Sequence, residues 1–366
     1  MHICTQRERL IQVLTKVCGV VEKRQTLPIL GNIHVHADDG IVTFTGTDRE
    51  VEIRTRLAAS VIESGDITVP ARKFIDICRA VPEDAEISFK TQNQRATVVA
   101  GKSRFNLSTL PAEDYPLMET SNGDQSIEIE QAMLKELFDK TAFAMANQDV
   151  RYYLNGLFLR VEDRGITSVA TDGHRLAMLE QLVDLPIEVP IQVIIPRKSV
   201  YELSRLLESG GVPVRLDLSS RTLRAVIGET LLTSKLVDGR YPDYERVIPL
   251  MADKVAVIGR DTLRQSLLRT SILSNEKFKG IRLSFGPNEL TLQAHNPEQE
   301  EAEENIEIDY NDPPLAIGFN VGYLLDVLSV IDEPRVEIRF AESNSSALMR
   351  GAGREDQTYV VMPMLL

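Results

Sequence analysis

The sequence predicts an α+β fold of three repeated domains, each carrying two helices on mainly antiparallel sheets. Three observations predict it. A strand, basic pair and helix recur at offsets close to 125 residues, an alternating hairpin recurs with the same spacing, and an amphipathic helix precedes each hairpin.

In chain order, "RERLIQVLTKVCGVVEKR" sets Leu10, Val13, Leu14, Val17, Val20 and Val21 on one helical face, and predicts a helix over 7–24 that opens the first unit. "LPILGNIHVHADDGIVTFTGTDREVEI" (27–53) alternates about an acidic-Gly turn, the pattern of half-buried hairpin strands. "TVPARKFIDICRAVPEDAEISF" (68–89) is a strand, a proline, the pair Arg72-Lys73, a helix over 72–79 and a further strand. The second unit repeats this order with a helix over 131–147, the hairpin "YYLNGLFLRVEDRGITSVATDGHRLAM" (152–178), and "VIIPRKSVYELSRLLESGGVPVRLDL" (193–218), whose helix 197–208 begins at Arg197-Lys198. The third has a helix over 260–279, a hairpin around Pro287-Asn288, and "AIGFNVGYLLDVLSVIDEPRVEIRF" (316–340), with Asn320 in place of proline before a helix over 320–331. The polar "TSNGDQS" linker and Asp253 then divide the chain into domains 1–125, 126–253 and 254–366, each of ordinary size.

Composition agrees. With 366 residues, 43% hydrophobic and 26% charged, the chain is globular and long enough for several cores. No apolar run approaches the roughly 20 residues that cross a bilayer, and the start, "MHICTQRERL", is not a signal peptide. Cys4, Cys18 and Cys78 form no C-x-x-C pair, which fits a reducing cytoplasm. A net charge of −13 argues against nucleic acid as a partner, but its distribution argues back. The six expected helices hold 18 Lys/Arg and 10 Asp/Glu, a net of +8, which leaves −21 elsewhere. Gathered on one surface, those helices could meet phosphate while the rest repels it. Taken singly, each basic helix face has the plainer explanation of solvation.

No catalytic constellation emerges. Gly101-Lys102-Ser103 lacks the first glycine of a phosphate loop, since position 96 is Ala96, and "SRFNLSTLP" continues as a strand rather than a helix. His34 and His36 share a strand face and could hold a metal, but no third ligand has a recognisable spacing, so ordinary strand surface is preferred. Asp172 and His174 in "TDGHRL" have no linked nucleophile, and no G-x-S-x-G elbow occurs. No enzyme, cofactor or metal is therefore expected; the chain reads as a binding device.

The segments "LPILGN", "TVPARKF", "SRFNLSTLP", "QDVRYYLNG", "ATDGHRLA", "SKLVDGRYPDY", "ILSNEKFKGIRL", "NPEQEEAEE", "GFNVGYLLDVL" and "YVVMPM" closely resemble, from end to end and in order, the bacterial DNA polymerase III beta subunits, the sliding clamps. The resemblance implies a head-to-tail homodimeric ring with pseudo-sixfold symmetry and helices lining a hole around duplex DNA. Such a ring confers processivity without catalysis and binds DNA without sequence specificity. It implies DNA contacts at Arg24, Gln148, Tyr152 and Tyr153, with Arg72, Lys73, Arg197 and Lys198 in the lumen; strand packing is an equal alternative for the two tyrosines. It implies a subunit interface of Phe105 and Leu107 against Ile272 and Leu273, flanked by Lys73, Arg95 and Arg104 opposite Glu298, Glu300, Glu301 and Glu303. It also implies a pocket between the second and third domains for short linear peptides of the replicative polymerase, the clamp loader and repair proteins. Its matching positions are Leu154, Thr171, Gly173, His174, Arg175, Leu176, Pro242, Arg246, Val247, Asn320, Tyr323, Val360, Val361, Met362, Pro363 and Met364. Leu365 departs from the family pattern, which commonly has a basic residue there. Two other classes stay in view: an acidic adaptor that binds proteins without encircling DNA, and a hydrolase using Asp172 and His174.

Overall fold

The computed structural model describes residues 1–22, 27–92, 94–119, 123–249 and 251–365. The first repeat runs β1 His2–Gln6, α1 Arg7–Val17, β2 Asn32–Asp38, β3 Ile41–Thr47, β4 Val51–Ala58, β5 Ser60–Glu63, β6 Gly65–Pro70, α2 Ala71–Ala80, β7 Glu86–Gln92, β8 Arg95–Ala100 and β9 Ser103–Ser108. The second runs β10 Gln125–Ile129, α3 Gln131–Thr141, β11 Gly156–Glu162, β12 Gly165–Thr171, β13 Arg175–Leu182, β14 Ile191–Pro196, α4 Arg197–Leu206, β15 Val214–Leu218, β16 Thr222–Ile227 and β17 Thr230–Lys235. The third runs β18 Lys254–Gly259, α5 Arg260–Thr270, β19 Gly280–Gly286, β20 Glu289–His295, β21 Glu301–Glu307, β22 Leu315–Asn320, α6 Val321–Val330, β23 Arg335–Phe340, β24 Ala347–Gly351 and β25 Gln357–Val361.

Two sequence expectations are corrected. Strands β1, β10 and β18, not helices, open the repeats. The leading helices are also shorter than their apolar periodicity: α1 ends at Val17, while Val20 and Val21 are buried from non-helical backbone. Likewise α3 and α5 give way to 3-10 turns at Ala142–Ala144 and Ser271–Leu273. The charge division survives the shortening. The observed helices hold 14 Lys/Arg against 7 Asp/Glu, a net of +7, so −20 of the total −13 lies outside them.

The chain gathers into two compact units, Met1–Lys135 with Lys198–Leu236, and Glu136–Arg197 with Val237–Leu366. The first unit contains the sheets β5-β1-β7-β8-β9 and β10-β15-β16-β17-β4-β3-β2-β6. The second contains β14-β11-β12-β13-β25-β24-β23-β18 and β21-β20-β19-β22. Each eight-stranded sheet is thus assembled from two repeats. In one, β4 pairs antiparallel with β17, Ile53 opposite Leu232; in the other, β13 pairs with β25, Leu176 opposite Val360.

Helices seal one face of these sheets. Leu10, Leu14 and Val17 of α1 are fully buried in the first unit, where Phe74 of α2 meets Phe89 at 5.2 Å between ring centroids. Each such side chain contributes about 1.5–3 kcal/mol on burial. Gly46 in β3 sits where a Cβ would stand 2.3 Å from the Val17 carbonyl oxygen, so only glycine lets α1 lie this close. In the second unit Phe285, Tyr310 and Phe340 form the aromatic centre, with Phe285 and Phe340 centroids 4.5 Å apart. Lys140 is the buried cation there, its ammonium donating to Val330 O and Asp332 Oδ2. All three cysteines are free thiols.

Candidate partner-binding pocket

The second unit carries an apolar cavity of about 240 Å³ where β13 meets β25. Leu154, Leu176 and Val360, all buried, form its floor, and Pro242, Tyr244 and Val247 form a wall. Beneath lies an aromatic layer in which Phe158 stacks on Tyr241 with centroids 5.0 Å apart. Burial pushes the Tyr241 phenol well above its usual titration range. Met362, which is 38% exposed, closes one side with a flexible thioether.

The rim is a tight loop between β12 and β13. Thr171 Oγ1 donates to Arg175 O at 2.6 Å and accepts from Gly173 N at 3.1 Å. Asp172 Oδ1 accepts from His174 N and Arg175 N, at 2.9 and 3.0 Å. Gly173 has φ of +88°, and a Cβ there would lie 3.1 Å from the Arg151 guanidinium, so glycine serves both the turn and the close approach. Arg175 ties this loop to α6: its guanidinium donates to Asp172, Asp326 and Phe143 O and lies 4.6 Å from the Tyr323 ring centroid. Across the mouth, Arg151 hydrogen-bonds Asp149 and holds its carboxyl down at about 2.

The segment after β25 is pinned at two points. Met362 N donates to His174 O at 2.9 Å, and Met364 N donates to Gly318 O at 2.8 Å. Met364 accordingly lines a separate cleft of about 390 Å³ with Asn275, Phe278, His295 and the fully exposed Leu365.

Of the expected pocket positions, Leu154, Thr171, Gly173, Arg175, Leu176, Pro242, Val247, Val360 and Met362 line the cavity together. The others stand apart from its lining. Val361 is buried between Arg175 and Ala347 in the sheet. Asn320 caps α6, accepting from Gly322 N at 2.9 Å, which accounts for asparagine at the proline position of the other repeats. His174 stacks on Tyr323, and Arg246 pairs with Asp243 at 2.7 Å. Pro363 is half-buried between the two pinned methionines. Sequence reasoning did not place Arg151, Asp243 or Tyr244 in the lining, and gave Tyr153 only to DNA. The aromatics of "YPDYERVIP" were the available signal. As for a hydrolase, Asp172 spends its carboxylate on the Arg175 guanidinium and the backbone of its own turn.

The expected DNA positions divide. Arg72 and Lys73 are exposed in the first turn of α2, and Gln148 and Tyr152 are exposed around the 147–155 loop. Tyr152 and Tyr153 lie in a 3-10 turn, not a strand, with their rings edge to face at 5.8 Å. Arg197 donates to Met145 O at 2.7 Å. Lys198 is held by Val20 O and Glu22 at 2.9 Å and Asp48 at 2.5 Å. Burial opposes its charge, yet those carboxylates outweigh burial and raise its pKa. Arg24 lies outside the described residues.

At the expected interface, Ile272 is 76% exposed, Leu273 and Phe105 are half-buried, and Leu107 is already buried within its own protomer. Lys73, Arg95, Arg104, Glu298, Glu300, Glu301 and Glu303 are all exposed.

Models of the N-terminal, central and C-terminal domains of the DNA polymerase III beta subunit match residues 1–119, 128–243 and 245–365. The chain belongs to the DNA polymerase III beta subunit family. It is 50% identical to the beta sliding clamp of Pseudomonas aeruginosa and 46% identical to that of Escherichia coli, covering 100% of both chains in each comparison. The crystal structure of the Pseudomonas aeruginosa subunit superposes with a TM-score of 0.96 over 100% of both chains at 50% identity. A second structure of that clamp, bound to griselimycin, gives 0.96 at 51% identity with the same coverage. Membership gives this chain a DNA sliding clamp role in replication, and the acidic-adaptor alternative is not favoured. Among the described residues, no helix is long and apolar enough to cross a membrane.

Proposed function

We propose that two copies of this chain close head to tail into a ring around duplex DNA and tether the replicative polymerase to it, in the cytoplasm and without catalysis. One observation carries the reading, the pattern of open strand edges. Within the chain, the third strand of one repeat's meander pairs with the last strand of the next repeat, β4 with β17 and β13 with β25. By the same rule β21 lacks a last strand and β9 lacks a meander strand; both are sheet edges. Pairing β21 with β9 of a second copy, reciprocally, satisfies these two edges on each copy and closes the pair on itself.

The edge side chains suit this pairing. Glu301 and Glu303 on β21 face the basic Arg104 and Arg95 of the first repeat, so charge sets register, while Ile272 and Phe105 bring the apolar surface that supplies most of the affinity. The basic helices would then line the hole. Lumen charge holds phosphate without reading bases, which permits sliding, and the acidic remainder keeps DNA off the outside. Arg72 and Lys73 are the best-placed lumen cations, since Lys198 already carries two carboxylates. The pocket takes short partner peptides ending in apolar residues, from polymerase, clamp loader and repair proteins. Division into domains 1–125, 126–253 and 254–366 follows the same three repeats.

The test is the oligomeric state. Ile272→Asp with Leu273→Asp places unpaired charge in the interface and should yield monomers in sedimentation, because burying such a charge costs several kcal/mol. A dimer that persists in the double variant would move the interface elsewhere.

A further inference from the structure

The rim loop of the pocket has a close counterpart in the first unit, in "TDREV" between β3 and β4. Thr47 Oγ1 donates to Val51 O and accepts from Arg49 N, both at 3.0 Å, as Thr171 Oγ1 does with Arg175 O and Gly173 N. Asp48 Oδ1 accepts from Glu50 N and Val51 N, as Asp172 Oδ1 accepts from His174 N and Arg175 N. Arg49 holds the left-handed backbone of Gly173, with φ of +77°. Lys235 N donates to Glu50 O at 2.9 Å, the bond that Met362 N makes to His174 O. Tyr115 stacks on His34 at 5.5 Å, as Tyr241 stacks on Phe158. A cleft of about 420 Å³ opens here, with Pro116, Leu117 and Met118 in the place of the wall formed by Pro242, Asp243 and Tyr244.

The backbone of the pocket is thus present twice, and the two copies differ most at the floor. Glu52 of β4 stands where β13 has Leu176, and its cross-strand partner Thr233 stands where β25 has Val360. The facing pair His34 and Thr45 likewise takes the place of Phe158 and Val169. Given a peptide site in the second-unit pocket, as proposed above, we infer that Glu52 closes the matching first-unit cleft to apolar-ended peptides and so limits each chain to one.

Glu52 is 2% exposed, and both of its carboxylate oxygens are in use. Oε2 accepts from Met118 N at 2.8 Å, and Oε1 accepts from Arg54 at 3.0 Å. The first bond ties the wall segment onto the floor, and the second pairs the buried charge. An apolar side chain entering the cleft would have to displace the Met118 amide and lie against a buried carboxylate, which is unfavourable. Leu176 has no acceptor with which to hold its wall, and burying hydrocarbon against it is favourable.

The full-length protein is titrated calorimetrically with a synthetic peptide ending in leucine and phenylalanine. The wild type should bind one peptide per chain. Glu52→Leu combined with Thr233→Val should bind two, and should keep one when 362–366 is also deleted. Glu52→Gln, whose amide oxygen can still accept from Met118 N, should stay at one. Hydrogen exchange reads the tie itself, without a variant: the wild-type Met118 amide should exchange more slowly than a free peptide amide by about tenfold or more. Two sites in the wild type, a single site in the folded Glu52→Leu/Thr233→Val chain, or an unprotected Met118 amide would overturn the inference. A wild type that binds no peptide would instead overturn the reading of the second-unit pocket, and this inference with it.

Discussion

Arg175 holds the pocket loop to α6, and its removal is the sharpest structural perturbation of the candidate site. Its side chain is 12% exposed and donates to Asp172, Asp326 and the Phe143 carbonyl. A hydrogen bond involving a charged group contributes about 1.5–3 kcal/mol when buried. Asp326 is half exposed, so its share is discounted towards about 1 kcal/mol or less. The guanidinium over Tyr323 adds about 0.5–2 kcal/mol. These contributions overlap, and Arg175→Ala should cost about 3 kcal/mol net. For a unit of this size that is a fall of about 6–12 °C in unfolding midpoint. Arg175→Lys should recover less than half, since an ammonium cannot span three acceptors in one plane. The assays are thermal unfolding and titration with a short apolar-ended peptide, and both should worsen. A double-mutant cycle with Asp326→Ala should give a coupling of about 0.5–3 kcal/mol. Additive single effects, or an Arg175→Ala protein with unchanged midpoint and peptide affinity, would refute the role of this anchor.

Three other outcomes are expected. Gly173→Ala should cost about 1–2 kcal/mol for its left-handed backbone, and should weaken peptide binding by displacing Arg151; calorimetry and peptide titration check it. Deleting 362–366 should sharply reduce peptide affinity while leaving the far-ultraviolet circular dichroism unchanged, because β25 ends at Val361. Burial raises the Cys18 and Cys78 thiols from 9.0 to about 12. The unfolded chain therefore loses these protons first, so their stability is complete below pH 9 and is lost as pH rises to about 12. Denaturant unfolding across that range should show the decline, and Cys78→Ala should flatten it.

What was legible in the sequence was whatever repeated or alternated. The hairpin strands β2–β3, β11–β12 and β19–β20 announced themselves by period-2 alternation around a tight turn. The leading strands did not, because β10 and β18 offer only Ile127 and Ile129, or Ala256 and Ile258, to a core. Helix ends were overrun because Val20 and Val21 keep the amphipathic period while the backbone has already left the helix. The pairing of β13 with β25 is a contact across almost two hundred residues, and local propensity does not encode it. Val361 was assigned to the pocket by family resemblance alone, and alternation could not have corrected that, because β25 is buried at all of its positions. Met364 follows the apolar run, yet its backbone bond to Gly318 carries it to the neighbouring cleft.

The central claim is topological, and DNA ends test it most directly. The protein is loaded onto a nicked circular plasmid, the complex is isolated by gel filtration, and half is then cut once with a restriction enzyme. A closed ring stays with the circle and runs off the linear form. Equal retention on circular and linear DNA, or equal loss from both, would contradict encirclement.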